Sequence, residues 1–373
     1  ERSWEDVPFE VRKDLIASIN NRIRINRGPE KLTRTEIKER VLQDPQVRES
    51  VHEIMKEEGL PEKKVRKQAE SYVDEIAADQ QIELLNFWVH MLPWLFGKVF
   101  SAVDFKESQY TQLKKANREG SLILVSSHKS HFDYLIIGYY AFVNQMAIPH
   151  IAAGRNLYFW PLGPMMRRTG AFFLRRSFKG LHLYPQVFAA YVRVLVKERF
   201  NINFYIEGGR SRTGKFLPPK TGLLAFLLQT VMDGAVPDLL FVPTFVGYDR
   251  IPEESSYLRE LAGREKRKED LAEVIRARSV LSQRFGKAYL RFDKPISFRD
   301  FLQKWHESGL ATTESDAARG LVQDFANHVM TGIVRAAVVT PVGLAAAGLI
   351  CSGRTRVSRA MVNGAIDNFA AVM

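Results

Sequence analysis

His128 and Asp133 sit five positions apart at the polar end of the stretch SLILVSSHKSHFD, residues 121–133. On a loop turning into a helix, that spacing brings the carboxylate back to one imidazole nitrogen. The other nitrogen is then free to take a proton from a substrate hydroxyl. No serine or cysteine nucleophile is required. Plainer uses exist for the same residues: a strand-end histidine often serves as a structural hydrogen-bonder. His128, His131 and Asp133 are also metal-ligand types, although no further Cys/His cluster follows to complete such a site.

Cations come next. GAFFLRRSF, from Gly170, ends an apolar run in Arg175 and Arg176. Paired guanidinium groups at a strand terminus suit bidentate binding of a phosphate dianion; otherwise they are two surface arginines. FYIEGGRSRTGKFLPPK, ending at Lys220, places Glu207 before Gly208 and Gly209, which let a backbone approach a ligand closely. Arg210, Arg212, Lys215 and Lys220 crowd the same loop, an arrangement that favours an anion between them. Two familiar motifs fail there. Phe216 stands where a P-loop needs Ser or Thr, and the elbow-like run around Ser211 lacks its final glycine. A fourth stretch, LFVPTFVGY from Leu240, is an apolar strand broken by Pro243 and on its own reads as core.

The elements that must position these residues follow from periodicity. Strand-like runs fall at 121–127, 147–152, 171–175, 202–206, 239–246 and 287–292, with helical runs at 132–145, 158–168, 182–200 and 220–233. That alternation predicts an α/β fold with a mostly parallel central sheet flanked by helices. A helical N-terminal region, 1–80, is broken at Gly28 and Pro29. It carries stripes through Val41, Val47 and Ile54, then through Val65, Ala69, Val73 and Ile76 after Pro61. The α/β domain spans 81–310, and a helical C-terminal region, 311–373, packs on it. Within the domain, residues 84–105 are dense in Trp, Phe and Leu but interrupted by Pro93, Gly97 and Lys98, which suits either a bilayer interface or a pair of core helices. The charged run 253–280 reads as a solvated face, and 336–351 as a buried helix pair or an apolar wall.

A chain of 373 residues can bury a large core. Its net charge of +12 favours a phosphorylated partner or an anionic membrane surface. No zinc-finger, RNP-like or basic-zipper pattern points to nucleic acid. A single cysteine, Cys351, excludes an intrachain disulfide and fits a reducing compartment. The charged start ERSWEDVPFE is no signal peptide and lacks an initiator Met, which fits either a short protein of its kind or a piece excised from something longer.

Taken in order, H-x-x-x-x-D at His128 and Asp133, G-x-F-F-x-R-R at 170–176, E-G-x-R-S-R at 207–212 and a V-P strand at Val242 and Pro243 resemble the four motifs of the glycerolipid acyltransferase family. Within it, GAFFLRR, EGGRSRTGK and PKTG are most similar to the bacterial membrane-bound glycerol-3-phosphate 1-O-acyltransferases. The dihydroxyacetone-phosphate and lysophosphatidate enzymes are the nearest alternatives, and a basic membrane-surface adaptor that has lost catalysis is one of another class. The family's bacterial members are usually much longer than this chain. The resemblance implies fatty acyl transfer from acyl-CoA or acyl carrier protein to the sn-1 hydroxyl of glycerol 3-phosphate, with no metal or other cofactor. His128 is then the general base, oriented by Asp133. Arg175, Arg176, Arg210 and Lys220 hold the phosphate, with Ser211 and Arg212 in the same binding loop. Glu207 orients the cations or the glycerol, and the N–H of Gly208 or Gly209 faces the oxyanion. A peripheral or monotopic position on the cytoplasmic face of the inner membrane is also implied.

Overall fold

The computed structural model describes residues 32–262, 283–307, 314–351 and 358–372. The first helical run of the N-terminal region, with its break at Gly28 and Pro29, lies outside them, as does most of the charged run 253–280.

Among the described residues, eight strands form one sheet: β1 (Ala102–Phe105), β2 (Leu122–Ser126), β3 (His150–Gly154), β4 (Ala171–Leu174), β5 (Ile202–Tyr205), β6 (Leu240–Tyr248), β7 (Lys287–Phe292) and β8 (Ile296–Ser297). Their order is β1-β7-β6-β2-β5-β3-β4, with β8 beside β6. Neighbours run parallel except β7 and β8, which are antiparallel to β6. The mostly parallel sheet is therefore as the alternation predicts. β2 lies at its centre, and all five of its residues are buried, as a continuous Leu/Ile/Val run requires in a strand covered on both faces. The chain leaves β2 on one side towards β3 and later fills both flanks of β2 with β5 and β6. The carboxyl ends of β2 and β5 thus sit at the reversal of strand order, where open α/β sheets place their ligands.

Two edge elements escaped the periodicity. Residues 102–105, inside the aromatic segment 84–105, form β1 and pair with β7. Residues 296–297 form β8. Both are too short to carry a period. Pro243 does not break β6, which runs through it. It falls where the antiparallel partner changes from β8, opposite 240–241, to β7, opposite 244–248, so no partner there needs its missing N–H.

The N-terminal layer consists of α1 (Arg34–Leu42), α2 (Pro45–Glu58) and α3 (Glu62–Ile76). Asp44 caps α2 through the Gln46 N–H, and Pro45 sits at its first position, which splits the stripe through Val41, Val47 and Ile54 between two helices. Val65, Ala69, Val73 and Ile76 are fully buried. They join one core with Val187, Tyr191 and Leu195 of the helix Leu183–Lys197. The aromatic segment begins as α4 (Ile82–Val99), one helix running through Pro93. It packs on α5 (Asp133–Val143), the helix that follows β2. Towards the C-terminus, Glu314–Ala336 buries Phe325, Val329 and Ile333 against the sheet. The following helix, Pro341–Cys351, departs from the buried reading of 336–351. Of its residues only Gly348 is buried, and Ile350 is 79% exposed. It packs chiefly against Arg359–Val372.

Candidate active site

The strand β2 delivers Ser127 and His128 to the carboxyl edge of the sheet, and the chain then turns into α5 at Asp133. The turn closes the pair that the spacing predicts: His128 Nδ1 lies 2.8 Å from Asp133 Oδ2. That same oxygen accepts the backbone N–H groups of Lys129 at 2.8 Å and Ser130 at 3.0 Å. Oδ1 accepts the Tyr248 hydroxyl at 2.6 Å. Asp133 is completely buried, and every partner is a donor, so it is held as an acceptor. The His128 proton therefore sits on Nδ1, and Nε2 presents its lone pair. Burial, with the Asp133 carboxylate alongside, pushes the Tyr248 phenol well above its ordinary range and keeps it protonated as a donor. The His128 ring lies against Tyr205, centroids 3.9 Å apart and planes within 19°.

The loop after β5 is built around the same histidine. Glu207 is buried, and its oxygens accept the His128 N–H at 3.0 Å and the Leu217 N–H at 2.8 Å. Glu207 thus staples two backbones together through its hydrogen bonds. Ser211 acts likewise, its N–H donating to the His128 carbonyl at 2.9 Å and its hydroxyl to the Lys215 carbonyl at 2.5 Å. Gly208 has φ +67°, and a Cβ there would meet Lys220 Cγ at 2.8 Å, so the lysine stem covers the glycine. The Gly208 N–H donates to the Tyr205 carbonyl at 3.0 Å, leaving Gly209 as the glycine whose N–H is uncommitted among the described residues. Lys129, which sequence reasoning passed over, is buried and closes the loop by donating to the Gly214 carbonyl at 2.9 Å. Burial lowers its pKa.

The cations divide. Arg210 stands beside the histidine loop, its Nη1 3.7 Å from Glu253 Oε1. Glu253 in turn accepts the Ser130 hydroxyl at 3.1 Å and the His131 N–H at 2.9 Å. Burial raises its pKa. Arg212 is paired with Glu260, and the Lys220 side chain is exposed. Arg175 and Arg176 follow β4, three strands from β2, a separation of roughly 14 Å. Arg176 is exposed, whereas Arg175 makes two 2.7 Å bonds to Glu75 at the end of α3. Arg155, after β3, reaches the same carboxylate. Burial works against Glu75 ionising, but the Arg175 hydrogen bond and the Arg155 charge outweigh it and hold its carboxyl below the usual range. Glu75 and Arg155 carried no motif, so only the packing of α3 on the sheet reveals them.

A cavity of about 560 Å³ opens between α4, α5 and the β3–β4 region. Its walls are largely apolar, with Trp88, Leu92, Leu135 and Met165 among them, and its polar end is formed by His131, Arg210 and Glu253. His128 is not in its wall, but its loop neighbours His131 and Phe132 are, and Arg175 is not. Burial, then the charges of Arg210 and His128, depress the His131 pKa well below its usual value, so His131 is neutral. Among the described residues, no group of three His, Cys, Asp or Glu side chains is placed to hold one metal ion.

Two family models match the chain. One, described as Acyltransferase, covers residues 107–246, and one, described as Glycerol-3-phosphate acyltransferase C-terminal region, covers 257–373. A glycerol-3-phosphate acyltransferase from Alteromonas mediterranea is 37% identical over 348 residues, which is 92% of this chain and 42% of that protein. One from Shewanella woodyi is 38% identical over 330 residues, 86% of this chain and 40% of that protein. The chain thus spans about two fifths of the length of these curated relatives. The solved 1-acyl-sn-glycerophosphate (LPA) acyltransferase, PlsC, from Thermotoga maritima is 16% identical with a TM-score of 0.37, over 69% of this chain and 80% of that one. That likeness is too distant to bear on fold or function.

Proposed function

For this chain, which belongs to the glycerol-3-phosphate acyltransferase family, we propose acyl transfer from a thioester to the sn-1 hydroxyl of glycerol 3-phosphate. The observation that carries the reading is the His128–Asp133 pair at 2.8 Å, beside a largely apolar cavity whose polar lining includes Arg210.

In this mechanism Nε2 of His128 removes the acceptor proton as the hydroxyl oxygen attacks the thioester carbonyl. Asp133 stabilises the imidazolium as it forms. Collapse of the tetrahedral intermediate expels the thiolate, which takes the proton back from the imidazolium, so both substrates leave as products with no covalent enzyme intermediate. The developing oxyanion falls to the Gly209 N–H. Arg210 holds the acceptor phosphate, while Arg175, Arg176 and Lys220 supply positive potential along the same edge of the sheet. The apolar walls of the cavity suit an acyl chain, with acyl-CoA or acyl carrier protein as the donor.

Membrane attachment is part of the proposal. Phe87 and Trp94 on α4 are 55% and 56% exposed and two turns apart, so they share a helix face, and Trp160 is 77% exposed. Such a face suits peripheral or monotopic attachment on the cytoplasmic side of the inner membrane. Among the described residues no single helix is long and apolar enough to cross a membrane.

The test is a radiolabelled transfer assay with glycerol 3-phosphate, dihydroxyacetone phosphate and lysophosphatidate as acceptors, each with acyl-CoA and with acyl carrier protein. Turnover of glycerol 3-phosphate that disappears in His128→Ala, with circular dichroism unchanged, is the expected result. Full activity in that variant would remove His128 from the mechanism.

A further inference from the structure

The Tyr205 ring is stacked on the His128 imidazole at a centroid distance of 3.9 Å and an interplanar angle of 19°. Two neutral aromatic rings avoid this arrangement. Their quadrupoles repel when faces align, and pairs prefer offset or edge-on contacts with centroids 4.5–7 Å apart. The geometry becomes favourable when one ring is a cation, because positive charge over the π face is attracted to it. His128 is the ring that becomes a cation during the proposed transfer.

The fold gives Tyr205 little choice of position. β5 pairs with β2 in register, Tyr205 opposite Ser126, two residues before His128. The cross-strand bond from Ser126 Oγ to Asn203 Oδ1, 2.7 Å, and the Glu207 bond to the His128 N–H fix the strand end on both sides of the tyrosine. Burial, with Asp133 and Tyr134 nearby, pushes the Tyr205 phenol well above its usual range, so its ring carries no negative charge.

We propose that Tyr205 is a positioning residue whose π face holds the His128 ring in plane and stabilises its protonated form. The contact is worth more after proton transfer than before it, which makes it catalytic in effect rather than a contribution to ground-state binding. The proposal rests on His128 being the base.

Among the described residues, the other charged and titratable groups around His128 and its loop include Asp133 at the start of α5, Lys129 and His131 of its own loop, Glu207 and Arg210 after β5, Tyr248 of β6, and Glu253, which bonds the loop at Ser130 and His131. None of these residues is itself altered when Tyr205 alone is changed. Tyr205→Phe keeps the ring and Tyr205→Leu removes it. Phe is expected to keep kcat close to wild type. Leu is expected to lower kcat by roughly three- to thirtyfold at nearly constant KM for the acceptor, and to move the acid limb of the kcat/KM profile to lower pH. Equal behaviour of Phe and Leu, an unmoved acid limb, or a loss confined to KM would overturn the proposal.

A second reading needs no turnover. Diethyl pyrocarbonate acylates neutral imidazole, so the pH dependence of His128 labelling, followed by peptide mass, reports the same protonation. Its midpoint should fall in Tyr205→Leu and hold in Tyr205→Phe. If Leu fails to fold, trifluorophenylalanine at 205 keeps the ring's shape and weakens its π face, and the same fall in midpoint is expected. An inactive wild-type chain whose labelling midpoint shifts in this way would sink the proposed transfer and leave the stacking role standing.

Discussion

The Tyr248 hydroxyl reaches across from β6 to donate to Asp133 Oδ1 at 2.6 Å, on the carboxylate whose other oxygen holds His128. A buried carboxylate oxygen that loses its donor costs about 1–3 kcal/mol. Tyr248→Phe should therefore lower the urea midpoint and reduce kcat about tenfold, with acceptor KM little changed. Unchanged kcat would show that Asp133 is sufficiently held by its other donors.

Asp133→Asn keeps the shape but places an amide where four donors converge. The asparagine then presents N–H groups to one or more of them, and His128 loses the acceptor that fixes its tautomer. Activity is expected to fall by about two to four powers of ten. Steady-state assays alongside His128→Ala check this, since the two losses should not add in the double variant.

The two arginine sites should separate in kinetics. Arg210 lies in the cavity wall beside the histidine loop, whereas Arg175 is tied to Glu75 outside that wall. Arg210→Ala is expected to raise KM for glycerol 3-phosphate about ten- to a hundredfold, the worth of a charge-assisted hydrogen bond, with a much smaller effect on the acyl donor. Arg175→Ala should do less to that KM and instead lower the melting temperature, because Glu75 loses its bidentate partner. Equal effects on KM would place both arginines on the phosphate.

His131 makes the chain sensitive to acid. Its pKa in the folded state lies well below the ordinary value of 6.5, through burial first and the Arg210 and His128 charges next. The unfolded chain therefore binds a proton there that the native state refuses, and stability is lost as pH falls below about 6.5. His131→Asn should retain more of its neutral-pH melting temperature at pH 5 than the wild type does. Parallel melting curves for the two proteins would refute this.

Sequence and tertiary structure each settled different parts of this protein. Near-continuous Leu/Ile/Val runs marked the central strands, because a parallel strand buried on both faces is apolar along most of its length, as in residues 122–125. The local pair His128 and Asp133 was legible because one turn of chain closes it. β1 and β8 were not legible, since four and two residues at a sheet edge carry no period. Nor were the long-range partners: Tyr248 is 115 residues from Asp133, Arg175 is 100 from Glu75, and Tyr205 stacks on His128 through strand pairing. A motif records which side chains are available at a strand end. Which of two arginines faces the cavity, and whether Glu207 binds a ligand or a backbone, depends on strand order and helix packing, which join residues far apart in the chain.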